Sequence, residues 1–431
     1  MWNHARPWLF AGVFIAAGAS RVLAQSDAAG VTAAAAQTAV SRPAAADPLD
    51  EVIDVGDLWR LVRHRQPVTK AQQPEWDYRK PMLAVVPTIS SKPSTGFALG
   101  AATSTAVYLG DPATTRISSM LASVSFSSKK QTSIAAKFDG FTAANGMHFT
   151  GDNRFQWTSQ DTYGLGTATE PSAVVNTRFD YIRVYESLFY EVRGHLSVGA
   201  GVAFSKHMDI RPGQNAEGSW DAGPYNLYTQ EHGFDGDAQT SGGINLGVEA
   251  DTRDNLINAS NGWLAGISYR PFFDGLFGGD SSWQEVLLDV RKYVPLEKDG
   301  RRTLAFWMWG DFVTSGTAPY FDLPAIGMDT YGRSGRGYSE GRFRGERLLY
   351  GEVEYRAALT RNRLLGIVAF ANTTTVSNLQ NDERLFDSFA PAGGAGLRVL
   401  FNKRSRANLC VDFAWGRQGS HGLYLALQEA F

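Results

Sequence analysis

Residues 331–356 hold the densest set of groups able to do chemistry in this chain. Tyr331-Gly-Arg-Ser-Gly-Arg-Gly-Tyr338-Ser-Glu-Gly-Arg-Phe-Arg-Gly-Glu346 is rich in glycine and arginine and has no apolar period, so it reads as a long loop. It runs into Arg347-Leu-Leu-Tyr-Gly-Glu-Val-Glu-Tyr-Arg356, which alternates. Leu349, Val353, Tyr355 and Ala357 share one face; Leu348, Tyr350, Glu352, Glu354 and Arg356 share the other. A strand of that kind separates water from an oily phase. The loop and its exit carry Arg333, Arg336, Arg342, Arg344 and Arg347, and guanidinium groups folded against such a wall need carboxylate partners. The chemistry on offer is ion pairing between a basic loop and a polar interior, not bond breaking.

Other candidate groups are weaker. Asp251, Arg253 and Asp254 cluster at a bend, where aspartates satisfy local backbone donors, so a structural turn network is expected. Asp209, Glu217, Asp221, Glu231, Asp235 and Asp237 lie within 207–240 without the ligand spacing of a calcium loop, and a solvated loop is expected there. The histidines (His4, His64, His148, His195, His207, His232, His421) are scattered without zinc spacing. Cys410 is the only cysteine, which excludes an internal disulfide and a cysteine zinc site. Gly332-Arg-Ser-Gly335 does not fit a nucleophile elbow, and no phosphate-loop or dinucleotide fingerprint occurs. No catalytic residue, metal or cofactor is expected.

Composition narrows the class. Among 431 residues, Lys+Arg is 41 and Asp+Glu 43, a formal charge of −2 that gives no reason to expect nucleic acid. Forty-five glycines and 12% aromatics suit an all-β chain. Mean hydropathy is −0.23 and no membrane-helix run follows the N-terminus, but a barrel needs only half-apolar strands.

The elements that must position these groups follow in order. Residues 1–24 read as an export signal: His4 and Arg6, an apolar Trp8–Ala19 core, and Val22-Leu23-Ala24 before Gln25. Residues 25–80 read as an Ala-rich linker and a short segment, with a possible helix at 49–66 capped by Asp57. From 81 to 431 the period is two, in sixteen segments: 81–90, 95–109, 114–126, 130–142, 145–157, 176–191, 193–206, 241–250, 263–271, 281–292, 302–313, 346–358, 363–373, 392–401, 406–415 and 421–431. Connections after even-numbered segments are mostly short, and the long ones (158–175, 207–240, 314–345, 374–391) follow odd-numbered segments. That asymmetry predicts an all-β, transmembrane antiparallel β-barrel of sixteen strands in the bacterial outer membrane, both termini periplasmic. Outer-membrane lipid and lipopolysaccharide are then its surroundings. A soluble sandwich would leave the loop asymmetry, the export signal and Phe431 unexplained.

Parity assigns the faces. Ile244, Leu246 and Val248 oppose Asn245 and Glu249; Val286, Leu288 and Val290 oppose Glu285, Asp289 and Arg291; Leu409, Val411, Phe413 and Trp415 oppose Asn408, Cys410 and Asp412. Leu423, Leu425, Leu427 and Phe431 share the lipid face, with Glu429 beside them at the rim. Lipid-facing Arg or Lys at mid-bilayer costs about 2–4 kcal/mol, so Glu285, Asp289, Arg291, Glu352, Glu354, Arg356 and Asp412 are expected inside.

Several motifs, in order on that count, resemble the BamA/TamA superfamily of outer-membrane barrels. Arg336-Gly337-Tyr338 resembles the family's sixth-loop motif, and Glu340–Gly345 with Glu352-Val-Glu-Tyr-Arg356 resembles barrel-only members. Asp251-Thr-Arg-Asp254 with Gly262, Tyr163-Gly-Leu-Gly166, Pro93-Ser-Thr-Gly96, and Asn408–Asp412 through Ala430-Phe431 are further matches over 81–431. The resemblance implies a long sixth outer loop folded into the lumen, locked by its arginine on an acidic wall group. It also implies Phe431 as a C-terminal assembly signal, a weak seam between first and last strands, and unfolded outer-membrane or secreted proteins as partners. Two departures stand out. Phe370-Ala-Asn372-Thr-Thr374 lacks the family's carboxylate, which leaves Asp412, Glu352 or Glu354 as partners for Arg336, with Asn372 at the vacated position. Residues 25–80 are too short for a periplasmic POTRA domain. Protein insertion or translocation is therefore the leading expectation. A passive channel or surface barrel stays open, as does a barrel enzyme acting on lipid.

Overall fold

A computed structural model describes residues 52–63, 77–92, 96–214, 216 and 218–431. The expected export signal, the Ala-rich linker and Pro93–Thr95 lie outside them. Period-two alternation becomes sixteen strands: β1 (Met82–Lys92), β2 (Gly96–Val107), β3 (Ser118–Ser127), β4 (Thr132–Phe141), β5 (Met147–Thr162), β6 (Val175–Arg193), β7 (Leu196–Pro212) and β8 (Ala238–Asp251). They continue as β9 (Gly262–Phe272), β10 (Trp283–Pro295), β11 (Arg302–Gly316), β12 (Arg347–Ala358), β13 (Leu365–Val376), β14 (Ala390–Asn402), β15 (Ala407–Trp415) and β16 (His421–Leu427). Each pairs antiparallel with the next in one sheet ordered β1 to β16. Among the described residues no hydrogen-bonded ladder joins β16 back to β1, so the barrel is nearly closed, with a seam.

The alternation sorts side chains as a bilayer requires. Ile244, Leu246, Val248, Met308, Val353 and Leu425 are exposed on the outer wall; Asn245, Glu285, Glu352, Glu354 and Asp412 are buried inside. Tight connections such as 194–195 and 403–406 gather at one end, and the long loops 317–346 and 377–389 at the other.

Parity fails at the end of the chain. Residues 421–431 were expected to run on as strand, but β16 stops at Leu427 and Gln428 takes φ 77°. That left-handed residue turns the last residues inward. Glu429, expected at the lipid rim, is buried and pairs with Arg398 at 2.7 Å. Phe431, expected on the lipid face with Leu427, is buried inside and stacks on Trp307 with ring centroids 5.3 Å apart. A carboxylate that would face lipid instead meets a guanidinium, which is the physical reason for the turn.

One connection departs from the solvated loop expected, and another reaches further than a local turn. Residues 213–237 contain helix α2 (Pro224–His232), which buries Tyr225 and Tyr228 against Tyr320 of the long loop. Residues 252–261 reach across the short-turn end: Ile257 packs with Ala106, Ile117 and Ala407, and Asp254 pairs with Arg406 at 2.6 Å. Before β1, helix α1 (Val55–Val62) docks on the same end. Lys403 Nζ donates to Asp57 (2.9 Å), and Ile53 N donates to the Asn362 carbonyl (3.0 Å). Its cap is Asp54, not Asp57. Asp54 accepts from Asp57 N (2.9 Å) while Asp57 accepts from Asp54 N (3.2 Å), a reciprocal capping box.

Candidate functional site: an arginine-anchored loop in the lumen

The loop 317–346 turns back among the inward side chains, and Arg336 at its tip is buried. Strand β12 presents Glu352 and Glu354 inward because they share parity, and β15 presents Asp412. All three reach Arg336. Its Nη2 donates to Glu352 Oε1 and to Glu354 Oε2 (2.6 Å), and its Nη1 donates to Asp412 Oδ2 (2.7 Å). The guanidinium lies 3.5 Å above the Phe370 ring centroid of β13, a cation–π contact in a desolvated setting. Asn372, where the family pattern has a carboxylate, donates to the Arg336 carbonyl (3.1 Å) and to Glu352 (3.3 Å). The three carboxylate candidates therefore act together, and Asn372 holds the backbone of the motif.

Gly337 is the residue that lets the tip approach the wall. Its φ is 107°, and a Cβ there would lie 2.8 Å from Ala392 Cβ and 3.2 Å from the Trp415 backbone. Its N–H donates to Tyr424 of β16 (2.8 Å), and its carbonyl accepts from Ser420 (2.7 Å). Tyr338 OH donates to the Pro391 carbonyl (2.6 Å) and accepts from Arg417 N (2.9 Å). The motif thus ties the loop to β12, β13, β14, β15 and β16 at once.

The network extends past the residues expected. Arg398 of β14 donates to Asp412 Oδ1 (2.5 Å) and Glu429 (2.7 Å). Arg356 donates to Glu354 (3.0 Å) and to the Phe431 carbonyl (3.0 Å). Tyr350 OH donates to Glu352 (2.5 Å). Arg336, Arg356 and Arg398 face Glu352, Glu354, Asp412 and Glu429, so three cations meet four carboxylates in a buried cluster. Arg398 was legible in principle: it is a strand-interior cation in phase with inward positions. Glu429 was not, because its face depends on the turn at Gln428.

The other loop arginines divide. For these the sequence leaves a solvated or lipopolysaccharide-facing role open beside pairing in the interior. Arg347 is exposed, but Arg344 is buried and donates to the carbonyls of Tyr320 (2.8 Å) and Leu323 (3.2 Å) and to Gln160 (2.8 Å). Arg342 is buried against Thr169, 2.6 Å from its carbonyl, and stacks 4.5 Å from the Tyr163 ring. Tyr163-Gly-Leu-Gly166 meets the same loop, since Gly166 N donates to the Arg344 carbonyl (2.7 Å). Asp251, Arg253 and Asp254 lie apart from this site at the short-turn end. Arg253 chelates Asp251 (2.8 and 3.0 Å), Arg116 also pairs with Asp251 (2.6 Å), and Asp254 binds Ser260 and Asn261 besides Arg406. The lumen space left around the loop includes cavities of about 220 and 250 Å³.

Sixteen next-neighbour strands, an apolar outer wall and a charged interior holding a long loop define an outer-membrane β-barrel. The Omp85 superfamily domain model matches residues 96–424, and the chain belongs to that superfamily of outer-membrane barrels. Its fold is similar to BamA from Haemophilus ducreyi lacking POTRA domains 1–3, at 13% identity and TM-score 0.50, over 81% of this chain and 69% of that one. It is also similar to CdiB from Acinetobacter baumannii (13% identity, TM-score 0.51, 80% of this chain and 59% of that one). CdiB from Escherichia coli matches at 10% identity and TM-score 0.50, over 82% of this chain and 63% of that one. This chain therefore spans about three fifths of the length of either CdiB. No curated protein matches it.

Proposed function

We propose that this barrel inserts or translocates unfolded outer-membrane or secreted polypeptides at the seam between β1 and β16. The observation that carries the reading is that β16 lacks a ladder to β1 among the described residues while every other neighbouring pair is bonded. An unpaired edge is a template for an incoming strand. Arg336 is the lock of the long loop in this reading: it holds β12 and β15 in register behind the seam through Glu352, Glu354 and Asp412. Short turns and both termini face the periplasm, the long loops face lipopolysaccharide, and residues 25–80 tether the barrel after an export signal is removed. A constantly open channel fits less well, because Arg336 and Arg344 hold the loop inside and Ile257 packs across the short-turn end.

The test is reconstitution. A Cys410→Ala background, free of the buried native thiol, is placed in liposomes with and without an engineered disulfide joining β1 to β16. An unfolded test barrel folds faster than on empty liposomes, and the staple abolishes the gain. Equal folding rates on loaded and empty liposomes would refute the reading.

A further inference from the structure

The outer wall is not uniformly convex. Gly351 is outward on β12, and a Cβ added there would meet nothing within 4 Å. In register, Met308 of β11 lies on one side and Thr373 of β13 on the other. The gap is part of a groove of about 450 Å³ lined by Phe306, Met308, Leu349, Phe386, Phe389 and Lys292. That volume is within the range of about 300–1,000 Å³ typical of ligand pockets. Its surface is almost wholly apolar, and among the described residues Lys292 is its one cationic lining side chain. Phe386 and Phe389, both exposed, belong to the 377–389 loop and close the groove at the long-loop end.

Lys292 marks the other end. It is exposed on the lipid-facing parity of β10, and among the described residues no hydrogen bond or ion pair engages it. Its register partner on β9 is Trp263, outward and 39% exposed, the second residue of that strand from the short-turn end. A tryptophan beside a lysine at a strand end is the pattern of the interfacial belt, where an ammonium reaches lipid phosphate. An unpaired lysine on this wall needs such an anion, and the groove above it needs something apolar.

We propose that the groove over Gly351 binds one glycerophospholipid of the leaflet on the short-turn side, an acyl chain lying over Gly351 and its phosphate paired with Lys292. The groove is continuous with the lipid-facing band, so a lipid reaches it by lateral diffusion. The site does not depend on insertase activity.

The experiment is native mass spectrometry of the full chain released from nanodiscs. The nanodiscs contain phosphatidylethanolamine and phosphatidylglycerol, with lipid A added in a second arm. Wild type retains one phospholipid per chain through mild activation. Gly351→Phe fills the open space and lowers retention by about tenfold, the effect of losing a well-filled apolar site. Lys292→Gln lowers it about fivefold, the contribution of one basic side chain beside an anionic lipid. Ala395→Phe, outward on β14 and outside the groove, retains lipid as wild type does. Heat-modifiable gel mobility checks that each variant forms the barrel. If Gly351→Phe does not fold, Lys292→Gln carries the test. Equal retention in wild type and the groove variants overturns the site, and selective retention of lipid A overturns the phospholipid assignment.

Discussion

Replacing Arg336 by Ala is the most informative single change in the lumen. The wild-type cluster sets Arg336, Arg356 and Arg398 against Glu352, Glu354, Asp412 and Glu429. Without Arg336 two cations face four carboxylates. Glu352 keeps hydrogen bonds from Tyr350 and Asn372 but loses the one guanidinium that pairs with it among the described residues. Removing one partner of a buried pair costs about 3–5 kcal/mol, because the remaining charge stays desolvated. The lost stacking on Phe370, about 2 kcal/mol at desolvated sites, falls largely within that figure, since one side chain supplies both. The effect is local at first, because Arg344 still anchors the loop to Tyr320, Leu323 and Gln160. The tip should therefore loosen before the barrel does. Two readouts follow: trypsin cleaves after Arg333 in proteoliposomes where wild type resists, and the urea midpoint of unfolding falls. Arg336→Lys should lie between, since an ammonium cannot make the forked contact to Glu352 and Asp412 together. Arg336→Ala with Glu352→Gln should recover part of the loss by removing the stranded charge. The reasoning is refuted if Arg336→Ala leaves both the tryptic pattern and the midpoint unchanged, or if Arg336→Ala and Asp412→Asn are strictly additive.

Phe431→Ala removes a buried ring stacked on Trp307 and should destabilise the folded barrel by about 3–5 kcal/mol, read as a lower urea midpoint; an unchanged midpoint would mean the tail does not pack inside. Arg344→Ala strands two buried carbonyls and Gln160 and should lower the midpoint by several times the effect of the exposed Arg347→Ala, which should stay within about 0.5 kcal/mol; equal effects would contradict the difference in burial. Arg406→Ala breaks a half-exposed pair with Asp254 and should cost under about 1 kcal/mol, yet it should raise protease cleavage within 252–261; no change in cleavage would mean Ile257 alone holds that segment.

Much of the barrel was legible because its elements are local. Alternation over ten or so residues specifies a strand and its two faces, and each strand pairs only with its chain neighbours, so sixteen segments in order already fix the sheet. The acidic wall could be read in the same way, since Glu352, Glu354 and Asp412 are charges on the face opposite an apolar stripe. Those residues, with Arg336 and Asn372, do meet. Parity alone could not choose among the three carboxylates, because barrel closure and loop entry decide which side chains 76 residues apart in sequence touch.

What the sequence determined by itself was the strand pattern, the inner and outer faces and the identity of the charged groups. These follow from period two and from the energetic penalty of charge in lipid. Only the tertiary structure decided where irregular backbone goes. A single left-handed residue, Gln428, ends the alternation and turns the last residues inward together, which moved Glu429 and Phe431 from the lipid face to the lumen. Burial of Tyr225 and Tyr228 turned an acidic loop into a packed helix, and Ile257 carried a turn across the short-turn end. None of these has a local period, because each is set by side chains that meet only once the barrel has curled round to bring distant strands face to face.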